Sequence, residues 1–241
     1  MAIPAEYKTG RTVKVPYQDK QFLQEYKQAC PLCGKAVTAV GLKRNILQVK
    51  TFEKDCRIRY VGCEPLWKEI IACPHCYYAN HYLKFFGINN FEYKEVSRVL
   101  EKEHKPVLEM RLEKRGEYDN LVINYLQAIH INEHVNPGDK ALIGGLWRNL
   151  YWLSKDTNDD GFALYCARRA VDKLKAAIDE EQICDADGKS TTALSLVNLM
   201  LYCKEESEVT KYIDIAVEAS DERVKNIALQ AKALFERRSE I

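Results

Sequence analysis

Four of the nine cysteines fall in two pairs of one form, Cys30-Pro31-Leu32-Cys33-Gly34 and Cys73-Pro74-His75-Cys76. Two residues between cysteines let both sulfurs reach one metal while backbone N–H groups of the turn point at them. Proline after the first cysteine pre-sets the turn, and Gly34 can take the positive φ that closes it. Two such knuckles make a tetrahedral four-thiolate site with no open position, which is structural rather than catalytic. The expected cofactor is one structural Zn2+ on Cys30, Cys33, Cys73 and Cys76. Tyr77 stands where a second glycine would be easiest, at a cost of about 1 kcal/mol. The gap between the pairs exceeds the ~15–20 residues of compact zinc ribbons, so the intervening chain must bring the knuckles together.

A second chemistry uses the same residues. Cys73-Pro74-His75-Cys76 is also the redox motif of thiol oxidases of thioredoxin fold, where a helix N-terminus lowers the pKa of the first thiol. That reading leaves the other pair unexplained and needs a βαβ frame that residues 1–90 do not offer. Whether Cys56, Cys63 or His81 joins a metal stays open at this point, as does any role for His104, His130 and His134. No phosphate loop, nucleophile elbow or paired-carboxylate site is legible, so no catalytic residue is assigned and enzymatic activity is not expected. The run Lys155-Asp156-Thr157-Asn158-Asp159-Asp160-Gly161 lacks the ligand spacing and final glutamate of a calcium loop. It reads as a helix-joining turn with Asp159 or Asp160 available for capping.

The elements that must position these residues divide the chain in two. Short alternating stretches at Ile46–Thr51 and Cys56–Val61, and the run Glu69–Ala72, read as strands; Tyr77–Phe86 reads as a short aromatic helix. Beyond residue 90 the period becomes helical. One helix is expected to end near Pro106, followed by Val107–Arg115, Tyr118–Val135, Asp139–Lys155, Gly161–Glu181, Thr191–Cys203, Glu208–Ala219 and Asp221–Arg238. The expected fold is mostly-α α+β, with a zinc-ribbon-like module at 1–90 and an all-α domain at 91–241. The net charge of +1 splits there: residues 1–90 hold 14 Lys and Arg against 7 Asp and Glu, and residues 91–241 hold 22 against 28. No apolar run approaches the ~18 residues of a membrane span, and the first residues contain no signal-like stretch, so a cytoplasmic protein is expected.

The helices share a pattern. Trp147, Leu150, Tyr151 and Ser154 precede Ala163, Ala167 and Ala170; forty-nine residues on, Leu196, Leu199, Met200 and Cys203 precede Tyr212, Ala216 and Ala219. A weaker copy runs through Leu108, Leu112, Gly116, Leu121, Tyr125 and Ala128. Large residues on one helix and small ones on the next resemble the tetratricopeptide repeat, with Tyr151 and Met200 departing from its small-residue preference. That register places Arg148, Trp152, Lys155, Val197, Leu201 and Lys204 on a groove for a protein or peptide partner. An alternative partner is nucleic acid, through Lys43, Arg44, Lys50, Lys54, Arg57 and Arg59 interleaved with Phe52 and Tyr60.

Two such knuckles followed by tetratricopeptide-like helices resemble the bacterial domain-of-unknown-function family 2225. Asp55-Cys56-Arg57-Ile58-Arg59-Tyr60 and Gly62-Cys63-Glu64-Pro65-Leu66 are similar to that family's middle segment, and the resemblance covers roughly residues 20–235. Tyr77 and Arg57-Ile58 depart from it, where glycine and proline are usual. The resemblance implies a bacterial cytoplasmic protein with a metal site and no established activity.

Overall fold

Val37 and Ala39 point inward between exposed Ala36 and Thr38, the period-2 pattern of a strand with one buried face. Strand β1 (Leu23–Ala29) pairs antiparallel with β2 (Ala36–Leu42), in register from Leu23 opposite Leu42 to Ala29 opposite Ala36. The computed structural model describes residues 3–8, 10, 13–112 and 116–239, with the backbone alone at 103–112 and 238–239. Strands β3 (Val49–Phe52) and β4 (Ile58–Tyr60) form a second pair. In the third, β5 (Ile70–Ala72) lies antiparallel to β6 (Ala79–His81). The aromatic segment expected as one helix thus opens as a strand and becomes helix α1 only at Tyr82–Phe85, where the His81 ring nitrogen caps Leu83 N–H at 3.4 Å. The described residues are mostly helical: α2 (Asn90–Leu112), α3 (Glu117–Val135), α4 (Lys140–Asp156), α5 (Asp160–Asp179), α6 (Ala186–Cys203), α7 (Val209–Val217) and α8 (Glu222–Ser239). The fold is mostly-α α+β. The break expected at Pro106 is absent: α2 runs through it to Leu112. The side chains of His104, Leu108 and Leu112, and residues Glu113–Arg115, lie outside what is described.

Two compact units result: residues 1–49 with 60–138, and residues 50–59 with 139–241. The division differs from a boundary at residue 90. The reason is α3, whose buried residues lie on nearly every side because it packs on β5 and β6 as well as on α2. In this first unit Ile71, Tyr78, Phe85, Val96, Leu100 and Ile131 share one core with Cys30 and Cys73. Inside it Asn132 donates to the Asn80 side-chain amide oxygen at 2.9 Å and the Tyr125 hydroxyl donates to the Leu66 carbonyl at 2.8 Å, whereas the amide of buried Gln127 makes no hydrogen bond. Buried Asp119 accepts from the Tyr7 hydroxyl and, at 2.9 Å, from Gly10 N–H, so part of the N-terminal arm is fixed to α3.

In the second unit each helix packs on its neighbour in sequence, α4 on α5, α5 on α6, α6 on α7 and α7 on α8. Gly144 permits the closest approach: a Cβ there would lie 2.7 Å from Leu174 Cδ2. Asp139, Asp159 and Asp185 cap α4, α5 and α6, each accepting from a backbone N–H three residues on. The same unit contains the tip of the β3–β4 hairpin. Its turn closes with Glu53 N–H to Arg57 O at 2.8 Å, and Cys56 adopts φ 65°. Arg57, 3% exposed, donates to both Asp156 carboxylate oxygens (3.1 and 2.5 Å) and to the Trp152 carbonyl (3.2 Å). Arg59 donates to the same two oxygens at 2.9 and 2.7 Å. Trp152 Nε1 donates to Asp55 at 2.6 Å, and Asn198 to the Lys54 carbonyl at 3.1 Å.

Burial alone would raise the Asp156 pKa, but hydrogen bonds from Arg59 and Arg57 outweigh it and hold the carboxyl below its usual range. A carboxyl depressed in the folded state stabilises at pH values above the unfolded pKa, and the contribution is lost as pH falls through the folded value. Asp156→Asn leaves the nearly inaccessible Arg57 without its counter-charge and should destabilise the helical unit by about 3 kcal/mol at neutral pH. Urea unfolding followed at neutral pH and again below about pH 3 should show the gap from wild type closing in acid. A gap constant with pH would mean that the ion pair is not its source.

Candidate metal centre

The first knuckle is the turn between β1 and β2, and the second is the turn between β5 and β6. Their backbones repeat one design. Cys30 N–H bonds Lys35 O and Gly34 N–H bonds Cys30 O, at 2.8 and 2.9 Å; Cys73 N–H bonds Tyr78 O and Tyr77 N–H bonds Cys73 O, at 2.8 and 3.1 Å. Gly34 (φ 69°) and Tyr77 (φ 63°) occupy the same left-handed position. The hairpins bring the thiols together across the pairs: Cys30 to Cys76 and Cys33 to Cys73 are each 3.7 Å between sulfurs, and all four sulfurs lie within 4.8 Å of one another. A tetrahedral ion with metal–sulfur bonds of about 2.3 Å needs sulfurs about 3.8 Å apart. The donor set therefore fits one four-coordinate metal ion.

Backbone N–H groups complete the fit. Leu32 and Cys33 donate to the Cys30 sulfur, Lys35 to Cys33, His75 to Cys73 (3.4 Å) and Tyr78 to Cys76. Burial pushes the Cys30 and Cys76 thiols up, against those donors. Burial also acts to raise Cys33, but the Lys35 N–H and the neighbouring thiols bring it below its ordinary value. Bound metal would supply cross-linking alone, since four protein sulfurs leave no position for substrate. Among the described residues no other group of Cys, His, Asp or Glu has this geometry. Residues 23–237 match the family described as "Uncharacterized protein conserved in bacteria (DUF2225)". The chain belongs to that family. No curated protein and no solved structure matches it.

The remaining thiols of this DUF2225 chain stand apart from the cluster. Cys56 is buried at the tip of the β3–β4 hairpin, where burial pushes its pKa up to about 12. Cys63 is buried in a bridge with Tyr60. His81 caps α1 and lies against Tyr82 at 4.6 Å, and its pKa is lowered to about 4, first by burial and then by Arg44 and Lys84. The second knuckle is a hairpin turn; α1 begins only at Tyr82, so no helix N-terminus activates Cys73 as redox chemistry would need.

The residues expected on a partner groove separate. Trp152 is 7% exposed, with Arg57 and Arg148 guanidinium groups 5.7 and 4.7 Å from its ring centre, so the chain's own residues 53–59 fill that part. Lys155 pairs with Asp160 at 2.8 Å and lies over Tyr202. Lys204 is the exposed left-handed cap of α6. Val197 and Leu201 instead line a cavity of about 160 Å³ with Ile213, Ile227, Leu234 and Phe235, which Lys54 also reaches. Of the six basic residues assigned to nucleic acid, Lys43 and Arg44 belong to the first unit and Lys50, Lys54, Arg57 and Arg59 to the second. Arg57 and Arg59 are committed to Asp156, Arg44 pairs with Glu69 at 3.2 Å, and Lys50 and Lys54 are exposed.

Sequence reasoning misses Asp156 and the cavity residues of α8. Asp156 stands in a run that reads as a helix-joining turn, and its true partners lie about a hundred residues away. The α8 residues read in sequence only as the last expected helix, Asp221–Arg238. Tyr77→Gly should relieve the left-handed strain and raise the melting midpoint of the first unit, by the equivalent of about 1 kcal/mol. A lowered midpoint would show that the tyrosine ring contributes more than its backbone costs.

Proposed function

We propose that this DUF2225 chain is a non-enzymatic, cytoplasmic scaffold, held by one structural zinc ion and binding a peptide partner through its helical unit. Zinc is the metal that four closed thiolates suit best in a reducing compartment, where clustered cysteine pairs remain free for metal. Consecutive helix packing in the second unit, with Ala163, Ala167, Ala170 and Ala216 fully buried, accords with a repeat of helix pairs.

The observation that carries the binding reading is the cavity bounded by α6, α7 and α8. Its walls are apolar, and Asn198 and Gln230 supply the neutral polar groups. Lys54 is its one ionisable residue, and the ammonium makes no ion pair among the described residues. Leu234 is exposed beside it. The partner that fits is an extended segment presenting an apolar side chain next to a carboxylate, the apolar group between α6 and α8 and the anion on Lys54. The neighbouring face already holds the β3–β4 turn of this same chain, through Asn198 on the Lys54 carbonyl.

The nucleic-acid reading has less support, since Arg57 and Arg59 are neutralised within the fold. Elemental analysis of purified protein should return one zinc per chain, and none after replacement of Cys33 by serine; iron, or no metal at all, would reject the zinc assignment. Selection from a random peptide library should enrich sequences with an apolar residue beside Asp, Glu or a free C-terminus. Leu201→Asp and Lys54→Glu should each weaken a selected peptide at least tenfold. Failure to enrich any such peptide, or indifference to both substitutions, would overturn the groove.

A further inference from the structure

The first unit holds a second cavity, of about 260 Å³, built on the β1–β2 and β5–β6 hairpins. Its hydrophobic wall is largely aromatic: Tyr26 from β1, Tyr82 from α1, and Phe86 just beyond it. The Tyr26 ring lies over Gly41, diagonal to it in the register, where a Cβ would come within 2.7 Å of the ring. No acidic residue lines the cavity, whereas two cations do. The Arg44 guanidinium stands 4.9 Å over the Tyr82 ring centre and is oriented by one contact to Glu69 at 3.2 Å, which leaves most of its five donors unspent. Lys68 makes no ion pair, and the Gln28 side chain no hydrogen bond, among the described residues.

A pocket of rings with an unpaired ammonium, a guanidinium that keeps donors beyond its Glu69 contact, and one unspent amide recognises a particular chemistry. The rings offer π-faces for stacking, the amide offers both a donor and an acceptor to a ring edge, and the cations attract an anion. The volume lies just under the ~300 Å³ at which small-molecule pockets begin, room for one ring system with its anionic group at the mouth. We infer that this cavity is a nucleotide site, taking a base among Tyr26, Tyr82 and Phe86 with the phosphate on Arg44 and Lys68. The site lies wholly within the first unit and is independent of peptide binding by the second.

Calorimetric titration of the full-length protein with AMP, GMP, CMP and UMP tests it. At least one should bind, with affinity falling as salt rises from about 50 to 200 mM. Lys68→Glu, a surface change that spares the core, should weaken that nucleotide at least tenfold, and Arg44→Gln should do the same. The matching nucleoside and inorganic phosphate should each bind more weakly than the nucleotide. Binding of a short oligonucleotide of that base tighter than the monomer would assign the site to a strand end; the reverse order would assign it to the free nucleotide. Leu201→Asp should leave nucleotide binding unchanged, so the two sites fail separately. The inference is overturned if none of the four nucleotides binds, if both charge variants bind as wild type does, or if phosphate alone binds as well.

Discussion

Four sulfurs within 4.8 Å tie together two hairpin turns that are 40 residues apart between Cys33 and Cys73, and the first unit is organised around that tie. The strands are too short to hold alone: β5 and β6 pair over three residues, and an isolated two-stranded hairpin is marginal in water. Cys30 and Cys73 are themselves core residues, in one cluster with Tyr78, Phe85 and Ile131, so the cage and the apolar core are the same object seen from two sides. Drawing the thiolates together requires deprotonation that burial opposes at Cys30 and Cys76; the N–H donors of the turns act against burial, and a bound divalent cation would reverse the balance.

The helical unit solves a different problem with charge. Asp156 accepts from two guanidiniums through both its oxygens, which fixes the planes of Arg57 and Arg59 and thereby the direction of β4. A buried arginine is costly unless its charge is answered, and here the answer includes a backbone carbonyl of α4, that of Trp152. The hairpin tip thus behaves as a ligand of the helices, with Asp55 on the Trp152 indole and a backbone carbonyl on Asn198. What it leaves open is the apolar channel beside it, which Val197 and Leu201 line.

Local rules made much of this legible. Paired cysteines with proline between them predict the knuckle backbone down to the left-handed Gly34, and the helices of the second half lie close to where apolar period and aspartate caps put them. Tyr77 shows the same rules at a cost, since the knuckle imposes its φ whatever the side chain. The failures are long-range. Nothing in residues 90–112 says that Pro106 will be carried through a helix, and nothing near residue 57 names an acceptor at 156. Strand β1 escaped because Gln24, Glu25, Lys27 and Gln28 give no apolar alternation; it is exposed over most of its length and is held by β2, whose own short alternation at Val37 and Ala39 went unread.

Those long-range pairings also change what the charge of the chain means. Cut at residue 90, the sequence looks like a basic head on an acidic tail, which invites an anionic partner for the whole head. Cut where the packing divides, residues 1–49 and 60–138 carry 17 Lys and Arg against 14 Asp and Glu, and the remainder carries 19 against 21. Four thiolates with a divalent ion would remove a further two positive charges from the first unit's small excess. The apparent basic field is therefore mostly an artefact of where the chain is cut, and a diffuse electrostatic attraction has little to act on. Any anion this protein recognises must be read locally, where cations stand beside apolar walls without carboxylates to answer them. Lys54 at the α6–α8 channel and Lys68 at the aromatic cavity are two such places, the second beside an Arg44 that spends one contact on Glu69.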